Sequence, residues 1–331
     1  MSGGHVAIVG ATGAVGHDLL HVLAARDFPV RSLRLLASPR SAGQRLPFRG
    51  EQVLVEALDE GSFRGVDVAF FSAGGDISRR FVPIAVDAGA AVVDNSSAFR
   101  LQADVPLVVP EVNAIAVELH RGILANPNCS TILLVLTLAP LQRVAGLRTV
   151  VVATYQAASG AGQQAVEELR AGTAAALAGE ELPARVLPHR LAFNLFPHID
   201  VFEADGYTKE ESKLLLETRK ILGLPELPVD ATCVRVPVER CHSEAVTVQL
   251  QRPLSPQQAR ELFAASPGLE LVDDPAHRRY PMPLPMSGRD AVAVGRVRAA
   301  RAFDTGLSYW LCGDQLRKGA ALNAVQIAEL L

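Results

Sequence analysis

The sequence has few of the features that mark a polyanion-binding, disulfide-bonded or zinc-stabilised protein. Its formal net charge is only −3, and the 32 Lys and Arg residues are scattered along the chain. Nucleic acids and anionic membranes are bound by clustered basic residues, so we expect neither partner. The four cysteines form neither a disulfide framework nor the paired spacing of a zinc site. This pattern suits a reducing cytoplasm and predicts no metal.

Long apolar segments are also missing. The richest run, 132–141, is too short to span a bilayer and predicts a buried helix. The first residues lack a basic region followed by an apolar stretch, so a signal peptide is not expected. Hydrophobic residues nevertheless make up 49% of the chain, which is enough for one large or two moderate cores. We therefore expect a soluble protein that acts on a small molecule.

The first hundred residues alternate short apolar runs with helical periodicity. Near-continuous apolar strands separated by helices predict an α/β domain of the Rossmann type, with a doubly wound parallel sheet. The expected strands are 5–9, 33–37, 52–55, 68–71 and 90–94.

The pattern changes after the Asn-Pro-Asn sequence at 126–128. A helix is expected over about 130–142, a strand over 148–154 and a second helix from about 162. The segments 245–250 and 291–297 alternate like antiparallel strands with one covered face, which predicts an α+β domain. We predict domains at 1–127 and 128–312, and a terminal helix within 313–331 that returns to the first domain.

A glycine-rich turn follows the first predicted strand and precedes a helical pattern. Such a turn brings backbone N–H groups at a helix N-terminus close to a pyrophosphate, although a tight turn without a ligand is the alternative. The second strand ends at Ser38-Pro39-Arg40-Ser41, where NAD-binding domains usually carry a carboxylate. Arg40 suits a 2′-phosphate instead, which predicts NADP; a solvated turn is the alternative.

Cys129 precedes the apolar helix and follows Pro127, which favours a helix start there. Unpaired N–H groups and the helix dipole at such a start stabilise a thiolate, although most lone cysteines beside apolar residues are inert core residues. Three further polar segments, at 155–162, 209–213 and 235–244, contain an amide donor, anion binders and a histidine that can act as an acid or base. Each alone is typical of a surface or structural residue.

The motifs together resemble the aspartate-semialdehyde dehydrogenase family from about residue 5 to the end. They are Gly-Ala-Thr-Gly-Ala-Val-Gly, Ala-Ser-Pro-Arg-Ser-Ala-Gly, Val-Pro-Glu-Val-Asn, Asn-Pro-Asn-Cys-Ser-Thr, Tyr-Gln-Ala-Ala-Ser-Gly-Ala-Gly and Cys-His-Ser-Glu, in the family's order and spacing. The resemblance implies NADPH-dependent reduction of L-aspartyl 4-phosphate to L-aspartate 4-semialdehyde through a cysteine thioester, with release of phosphate. This step belongs to the biosynthesis of lysine, threonine, methionine and isoleucine. A homodimer formed through the second domain is also implied.

The same resemblance implies the roles of individual residues. Cys129 is the expected nucleophile and His242 the acid or base, with Gln156 orienting the acyl intermediate. The expected substrate and phosphate ligands are Arg235 for the α-carboxylate, Glu210 near the amine or as a partner of an arginine, and Arg100, Lys213 and Asn128 for phosphate. The expected cofactor contacts are Gly10, Thr12, Gly13, Ala14, Val15, Ser38, Arg40, Ser41, Ser159, Gly160 and Gln315.

Two features of the 235–244 segment need a particular backbone. Arg235 and His242 are seven residues apart and would face opposite sides of one regular strand, so we predict a bend near 237–240. Cys241 should then point away from the site as a structural residue, and some relatives carry glycine in its place. Two rival functions remain open, namely N-acetyl-γ-glutamyl-phosphate reductase and a catalytically silent NADP-binding paralogue.

Overall fold

The computed structural model describes residues 3–331 and divides them into two compact units. The first unit combines the described part of Met1–Asn128 with Ala320–Leu331, and the second is Cys129–Gly319.

The first unit contains a seven-stranded sheet of order β3-β4-β2-β1-β5-β6-β7. Its strands are β1 (Gly4–Val9), β2 (Val30–Ala37), β3 (Arg45–Phe48), β4 (Glu51–Ala57), β5 (Val68–Phe71), β6 (Ala91–Asp94) and β7 (Ile123–Ala125). All neighbours are parallel except β3 and β4. The helices before residue 128 are α1 (Ala14–Ala25), α2 (Gly75–Asp87) and the short α3 (Pro110–Asn113). The predicted doubly wound parallel sheet is confirmed, with β3 and β7 as additional short strands.

The second unit contains a six-stranded sheet of order β11-β12-β13-β10-β8-β9. Its helices and strands are α4 (Cys129–Ala145), β8 (Leu147–Gln156), α5 (Gln163–Leu177), α6 (Lys209–Leu222), β9 (Val229–Arg235), β10 (His242–Leu250), α7 (Pro256–Ala264), β11 (Leu269–Leu271), α8 (Pro283–Met286), β12 (Val292–Ala299) and β13 (Gly306–Gly313). The four central strands, β8, β10, β13 and β12, each run antiparallel to the next. The edge strands β9 and β11 run parallel to their neighbours β8 and β12. The predicted α+β class is confirmed.

Alternate residues of the central strand β10 are buried, and α4, α6 and α7 cover that face of the sheet. The helix α4 itself is buried along almost its whole length, as its apolar sequence predicts. This packing fixes the N-terminus of α4 beside the ends of β8, β9 and β10 that carry the candidate site.

The terminal segment is less regular than the single helix predicted over about 314–331. The α-helix α9 (Leu322–Ala328) is preceded by a π-helical turn over Arg317–Ala321. Gly319 lies in this turn, and a Cβ there would lie 3.1 Å from the Cβ of Cys129. The helix α9 contributes Leu322, Val325 and Ile327 to the core of the first unit.

Candidate active site

The turn after β1 has the close backbone approaches that require glycine. Gly10 has φ +86°, and a Cβ on it would lie 2.3 Å from the carbonyl oxygen of Ser72. A Cβ on Gly16 would lie 2.4 Å from the carbonyl oxygen of Gly10, so the strand and α1 pack without side chains between them. The backbone is therefore exposed before the N-terminus of α1, where a pyrophosphate is favoured by N–H groups and the helix dipole. These residues fit a dinucleotide.

A cavity of about 850 Å³ lies in the first unit at the carboxyl ends of its strands, which is where open α/β sheets bind ligands. Of the predicted cofactor residues, Gly10, Thr12 and Ser38 line it. Gly13, Ala14 and Val15 lie at the start of α1 outside the lining, and Arg40 and Ser41 lie in the turn after β2, with Arg40 exposed. Sequence reasoning missed the other lining side chains, which include Leu58, Asp59, Glu60, Arg64, Ile77, Arg80 and Phe81.

Cys129 is the first residue of α4, as its position after Pro127 predicted. It is partly exposed, and none of the four cysteines, all of which lie in the described chain, forms a disulfide. A Cβ on Gly319 would lie 3.1 Å from the Cβ of Cys129, so Cys129 packs closely against the backbone there. The helix has 17 residues, so its N-terminus carries the full effect of the helix dipole.

His242 is fully buried at the start of β10. Its Nδ1 accepts a hydrogen bond of 3.0 Å from the N–H of Ala157, the residue that follows β8. Its Nε2 has no hydrogen-bond partner within the part of the chain that the structure describes. Burial, and then the charge of Arg235, lower the pKa of His242 well below its usual value; the main chain of Cys241 opposes them and is outweighed. The histidine is therefore neutral.

Arg235 ends β9 and lies beside His242. Its Nη1 donates a hydrogen bond of 2.6 Å to the carbonyl oxygen of Ala157, and a Cβ on Gly160 would lie 3.1 Å from both that Nη1 and the Nε2 of His242. The predicted bend between the two residues is confirmed, because β9 ends at Arg235 and β10 starts at His242. Burial lowers the pKa of Arg235, and nearby Glu210 and Cys129 oppose that change.

Gln156, Glu210 and Lys213 form one hydrogen-bonded network. Gln156 ends β8, accepts a bond of 2.9 Å from the hydroxyl of Thr154, and donates one of 3.1 Å to Oε1 of Glu210. The Nζ of Lys213 lies 3.0 Å from Oε2 of Glu210 and 2.7 Å from Oδ2 of Asp200. Glu210 and Lys213 share a face of α6 because they are three residues apart.

The start of α6 is fixed by a capping box. The hydroxyl of Thr208 accepts from the N–H of Glu211 at 3.4 Å, and the carboxylate of Glu211 accepts from the N–H of Thr208 at 2.6 Å. Burial disfavours the charge of Lys213, but Glu210 and Asp200 outweigh it and raise the pKa of the ammonium group. Lys213 is therefore positively charged and is held by two carboxylates, those of Glu210 and Asp200.

A second cavity, of about 430 Å³, opens beside Arg235 in the second unit. Sequence reasoning missed the rest of its lining, which consists of Ala161, Val186, Leu187, Pro188, Phe196, His198, Ile199 and Asp200. Most of these residues lie in the irregular segment between α5 and α6, which has no periodic pattern. The cavity size and its buried arginine suit a small anionic substrate.

Two further predicted cofactor residues, Ser159 and Gln315, contact each other. The amide of Gln315 donates to the hydroxyl of Ser159, and its oxygen accepts a bond of 2.7 Å from the N–H of Cys241. Cys241 is buried with Met286, Ala293 and Cys312, away from the site, which agrees with the predicted structural role. Its φ of +75° lies in the region that favours glycine.

Arg100 and Asn128 belong to the first unit and are both buried. The guanidinium of Arg100 donates to the carbonyl oxygens of Asn126 and Asn95, at 2.9 and 2.7 Å. Their predicted phosphate contacts remain predictions. Residues 3–331 contain no group of three or more His, Cys, Asp or Glu side chains that could hold a metal ion, and no helix in that range is long and apolar enough to cross a membrane.

Two family models match the chain. The model described as "Semialdehyde dehydrogenase, NAD binding domain" matches residues 5–120. The model described as "Semialdehyde dehydrogenase, dimerisation domain" matches residues 138–318. Together they cover most of the sequence and assign a nucleotide-binding role to the first unit.

Relatives and solved structures agree with these matches. An aspartate-semialdehyde dehydrogenase from Aquifex aeolicus is 53% identical, over 99% of this chain and 98% of its own length. The crystal structure of aspartate semialdehyde dehydrogenase II from Vibrio cholerae complexed with ASA has a TM-score of 0.97 and 44% identity, over 100% of this chain and 98% of that one. The Candida albicans enzyme with NADP has a TM-score of 0.79 and 26% identity, over 100% and 98%. The predicted resemblance is confirmed, and this chain belongs to the aspartate-semialdehyde dehydrogenase family.

Proposed function

We propose that this chain catalyses the NADPH-dependent reductive dephosphorylation of L-aspartyl 4-phosphate to L-aspartate 4-semialdehyde, in the biosynthesis of lysine, threonine, methionine and isoleucine. The observation that carries the proposal is the arrangement around Ala157, whose backbone binds both Arg235 and His242 in the unit that begins with Cys129. A histidine and an anion binder thus share one backbone partner, and Cys129 interacts electrostatically with the anion binder. The relatives named above favour this function over N-acetyl-γ-glutamyl-phosphate reductase.

The cofactor of the reaction is NADPH, which supplies the hydride. The bare backbone at Gly10 and the start of α1 would hold its pyrophosphate, and Arg40 would bind the 2′-phosphate. The other residues assigned to the cofactor are Thr12, Gly13, Ala14, Val15, Ser38, Ser41, Ser159, Gly160 and Gln315. We assign residues 1–127 to NADP binding, 128–312 to catalysis and dimerisation, and 313–331 to the segment that returns to the first domain.

Cys129 is the nucleophile in this proposal. Its thiolate is stabilised by the N-terminus of α4 and by the positive charge of Arg235, with which it interacts electrostatically. Attack on the acyl phosphate forms a carbon–sulfur bond, and phosphate leaves with the electrons of the carbon–oxygen bond. After reduction of the resulting thioester, collapse of the tetrahedral oxyanion releases the aldehyde and restores the thiolate.

Polar side chains of the second unit position the substrate around Cys129. Gln156, held by Thr154 and Glu210, orients the acyl group, and His242 faces the reacting oxygen through Nε2. Arg235 binds the α-carboxylate, since it is buried and lines the cavity of about 430 Å³.

The remaining substrate groups are assigned by charge. Glu210, which is buried and negatively charged, lies near the substrate amine. Lys213, together with Arg100 and Asn128, binds the phosphate and offsets its charge as it leaves. Asp200 shares Lys213 with Glu210 and so tunes how much positive charge is available to phosphate.

We propose that this chain forms a homodimer and that it is located in the cytoplasm. The second family model is described as a dimerisation domain. The sheet face opposite the helices carries Val151, which is 40% exposed, and the adjacent rings of Tyr155 and Trp310, whose centroids are 5.2 Å apart. Sedimentation equilibrium should give twice the mass of the chain; a mass of one chain would contradict the dimer. None of the four cysteines forms a disulfide, which suits a reducing compartment.

The decisive assay supplies aspartate semialdehyde, NADP and phosphate and follows reduced nicotinamide by its absorbance. We expect turnover that requires phosphate, because the thioester is released by phosphate attack in this direction. Absence of turnover, or turnover independent of phosphate, would overturn the proposal. The semialdehyde of N-acetylglutamate, assayed in parallel, should react far more slowly; the opposite order would favour the reductase that uses it.

A cysteine variant pair tests the nucleophile. Cys129→Ala should reduce kcat to below about one-thousandth of its original value while NADP still binds, because the covalent step is lost. Cys233→Ala is the matched control, since Cys233 is fully buried and burial raises the pKa of its thiol. NADP binding by the unmodified chain without turnover of any substrate would instead indicate a silent paralogue.

A further inference from the structure

The buried face of β8 changes from apolar to polar at Thr154. Side chains alternate along a strand, so every second residue of β8 shares this face. Its last four members, all buried, are Val150, Val152, Thr154 and Gln156. Valine and threonine have the same branched shape and suit a strand equally well, so packing alone would accept a third valine at this position. A buried hydroxyl is unfavourable unless it forms hydrogen bonds, and the reason for Thr154 therefore lies in the bonds that it makes.

The hydroxyl of Thr154 holds one end of the Gln156 amide, and Glu210 holds the other. Oγ1 of Thr154 donates a hydrogen bond of 2.9 Å to Oε1 of Gln156, and Nε2 of Gln156 donates one of 3.1 Å to Oε1 of Glu210. The ammonium group of Lys213 binds Oε2 of Glu210 at 3.0 Å, so this carboxylate acts only as an acceptor. If the amide turned over, its oxygen would face the carboxylate. The orientation of Gln156 is therefore set at both ends.

The other neighbours of Thr154 leave its hydrogen to Gln156. In the sheet, Thr154 lies between Cys233 of β9 and Glu244 of β10. Neither carboxyl oxygen of Glu244 has a hydrogen-bond partner among the residues that the structure describes. The thiol of Cys233 does bond to Thr154; burial, and then the charge of Glu210, raise the pKa of this thiol and outweigh the bond, which lowers it. Cys233 therefore keeps its hydrogen and can donate it to Oγ1, while the hydroxyl hydrogen is donated to Gln156.

The amide nitrogen of Gln156 carries two hydrogens, and the bond to Glu210 uses one of them. We propose that Thr154 is a positioning residue, whose hydroxyl holds the amide of Gln156 so that the second hydrogen on Nε2 points at the acyl oxygen of the substrate. The inference rests on the proposed function, which places the acyl group beside Gln156. Thr154 itself does not contact the substrate and acts only through Gln156.

A fixed N–H donor matters because the acyl oxygen gains negative charge twice in the reaction. It does so when Cys129 attacks the acyl phosphate, and again when the thioester is reduced. Removal of a donor aimed at such an oxygen typically lowers kcat by a factor of about 10²–10³. Without the hydroxyl of Thr154 the donor remains but loses its fixed direction, so we expect a smaller loss, of about tenfold. The loss should appear in kcat more than in KM, because the bond strengthens as the charge develops.

Two substitutions of Thr154 separate the hydroxyl from the shape of the side chain. Thr154→Val keeps the branched shape and removes the hydroxyl. In the phosphate-dependent semialdehyde assay its kcat should be about tenfold lower than that of the parent, and its KM for aspartate semialdehyde should stay within about threefold. Thr154→Ser retains the hydroxyl, so its kcat should stay within about threefold of the parent. A kcat of Thr154→Val within twofold of the parent, or a serine variant as slow as the valine variant, would overturn the proposal.

Thr137→Val is the matched control for the loss of a buried hydroxyl. Thr137 lies on α4 and is fully buried, and its hydroxyl bonds to the carbonyl oxygen of Leu134 at 2.8 Å and to the hydroxyl of Tyr309 at 2.9 Å. This variant should lower the temperature of unfolding about as much as Thr154→Val but leave kcat within about twofold of the parent. An equal loss of kcat in both valine variants would show that a weakened fold is the cause, and would contradict the positioning role.

A double-mutant cycle tests whether Thr154 acts through Gln156. Gln156→Leu removes the amide, and in that background Thr154→Val should change the remaining kcat by less than about twofold. A repeated tenfold loss would show that the hydroxyl acts independently of Gln156, and would overturn the inference. Absence of phosphate-dependent turnover in the parent would instead refute the proposed function. An active parent with an equally active Thr154→Val variant would refute the positioning role alone.

Discussion

Gly160 lies where any side chain would meet His242. A Cβ on Gly160 would be 3.0 Å from Cε1 and 3.1 Å from Nε2 of His242, and 3.1 Å from Nη1 of Arg235. His242 and Arg235 are buried and bound to Ala157, so neither can move without losing a hydrogen bond. The glycine is therefore needed for space at the reacting centre.

The first prediction follows from that contact. Gly160→Ala should lower kcat by a factor of about 10–100, because a displacement of about 1 Å in a catalytic group has an effect of this size. The temperature of unfolding should change little, since the new methyl group meets side chains and not a rigid strand. Gly172→Ala is the control, because its Cβ would make only an ordinary contact, 3.6 Å from Ala192. Activity of Gly160→Ala within twofold of the parent would show that His242 can move freely.

The second prediction concerns Glu244, which lies two residues after His242 on β10 and is fully buried. Neither of its carboxyl oxygens has a hydrogen-bond partner among residues 3–331. Burial, and then the electrostatic effect of nearby Cys312, raise the pKa of Glu244 well above its usual value of 4.5. Glu244 therefore keeps its proton to a higher pH in the folded protein than in the unfolded chain.

This raised pKa makes folding depend on pH in a defined direction. Above about pH 4.5 the unfolded chain releases the proton and the folded chain keeps it, so Glu244 destabilises the fold increasingly as pH rises toward the folded pKa. Glu244→Gln has no such proton. The free energy of unfolding of this variant minus that of the parent, measured by urea titration, should rise by up to about 1 kcal/mol per pH unit above about pH 5. The exposed Glu180→Gln should show no such slope, and a flat difference for Glu244→Gln would mean that the carboxylate is ionised when folded.

The third prediction tests the phosphate ligand. Lys213→Met keeps the apolar stem and removes the charge, so the KM for phosphate should rise at least about tenfold, the usual value of a charge-assisted hydrogen bond. The KM for NADP should stay within about twofold, because Lys213 is assigned to phosphate alone. Lys209→Met, at an exposed position on the same helix, is the control. An unchanged KM for phosphate would show that Lys213 does not bind phosphate.

Much of this architecture could be predicted from sequence because the relevant signals are local. The parallel strands of the first unit are short apolar runs, and Gly10 and Gly16 lie between a strand and a helix where close packing needs them. The start of α4 at Cys129 follows from Pro127 and the apolar run after it. The short strands β3 and β7, of four and three residues, have too few positions for a periodic pattern.

The features that sequence reasoning missed depend on contacts between distant segments. Asp200 and His198 lie in a loop, and Asp200 reaches Lys213 only because the chain folds back on α6. The bond from Ala157 to His242 joins residues 85 positions apart, so no spacing rule indicates it. The irregular turn before α9 includes Gly319, which packs closely against Cys129, and a helical pattern over 314–331 indicates neither the turn nor this contact.

The last prediction concerns the choice between NADP and NAD. The second strand of the first unit ends at Ala37, and Ser38 to Ser41 follow it without a carboxylate where NAD-binding domains usually carry one. Arg40 is exposed there and is the residue assigned to the 2′-phosphate. Arg40→Ala should raise the KM for NADP about tenfold or more and change the KM for NAD by less than about twofold, because only NADP has the phosphate.

Arg31→Ala provides the matched control, since Arg31 is an exposed arginine near the opposite end of the same strand. It removes the same charge from the surface without approaching the nucleotide, so both KM values should stay the same. Equal effects of Arg40→Ala on the KM values for NADP and NAD would mean that Arg40 does not bind the 2′-phosphate. Arg64 and Arg80 would then be the next candidates, because they line the cavity of about 850 Å³ beyond the ends of β4 and β5. Either arginine could supply the permanent positive charge that a 2′-phosphate requires.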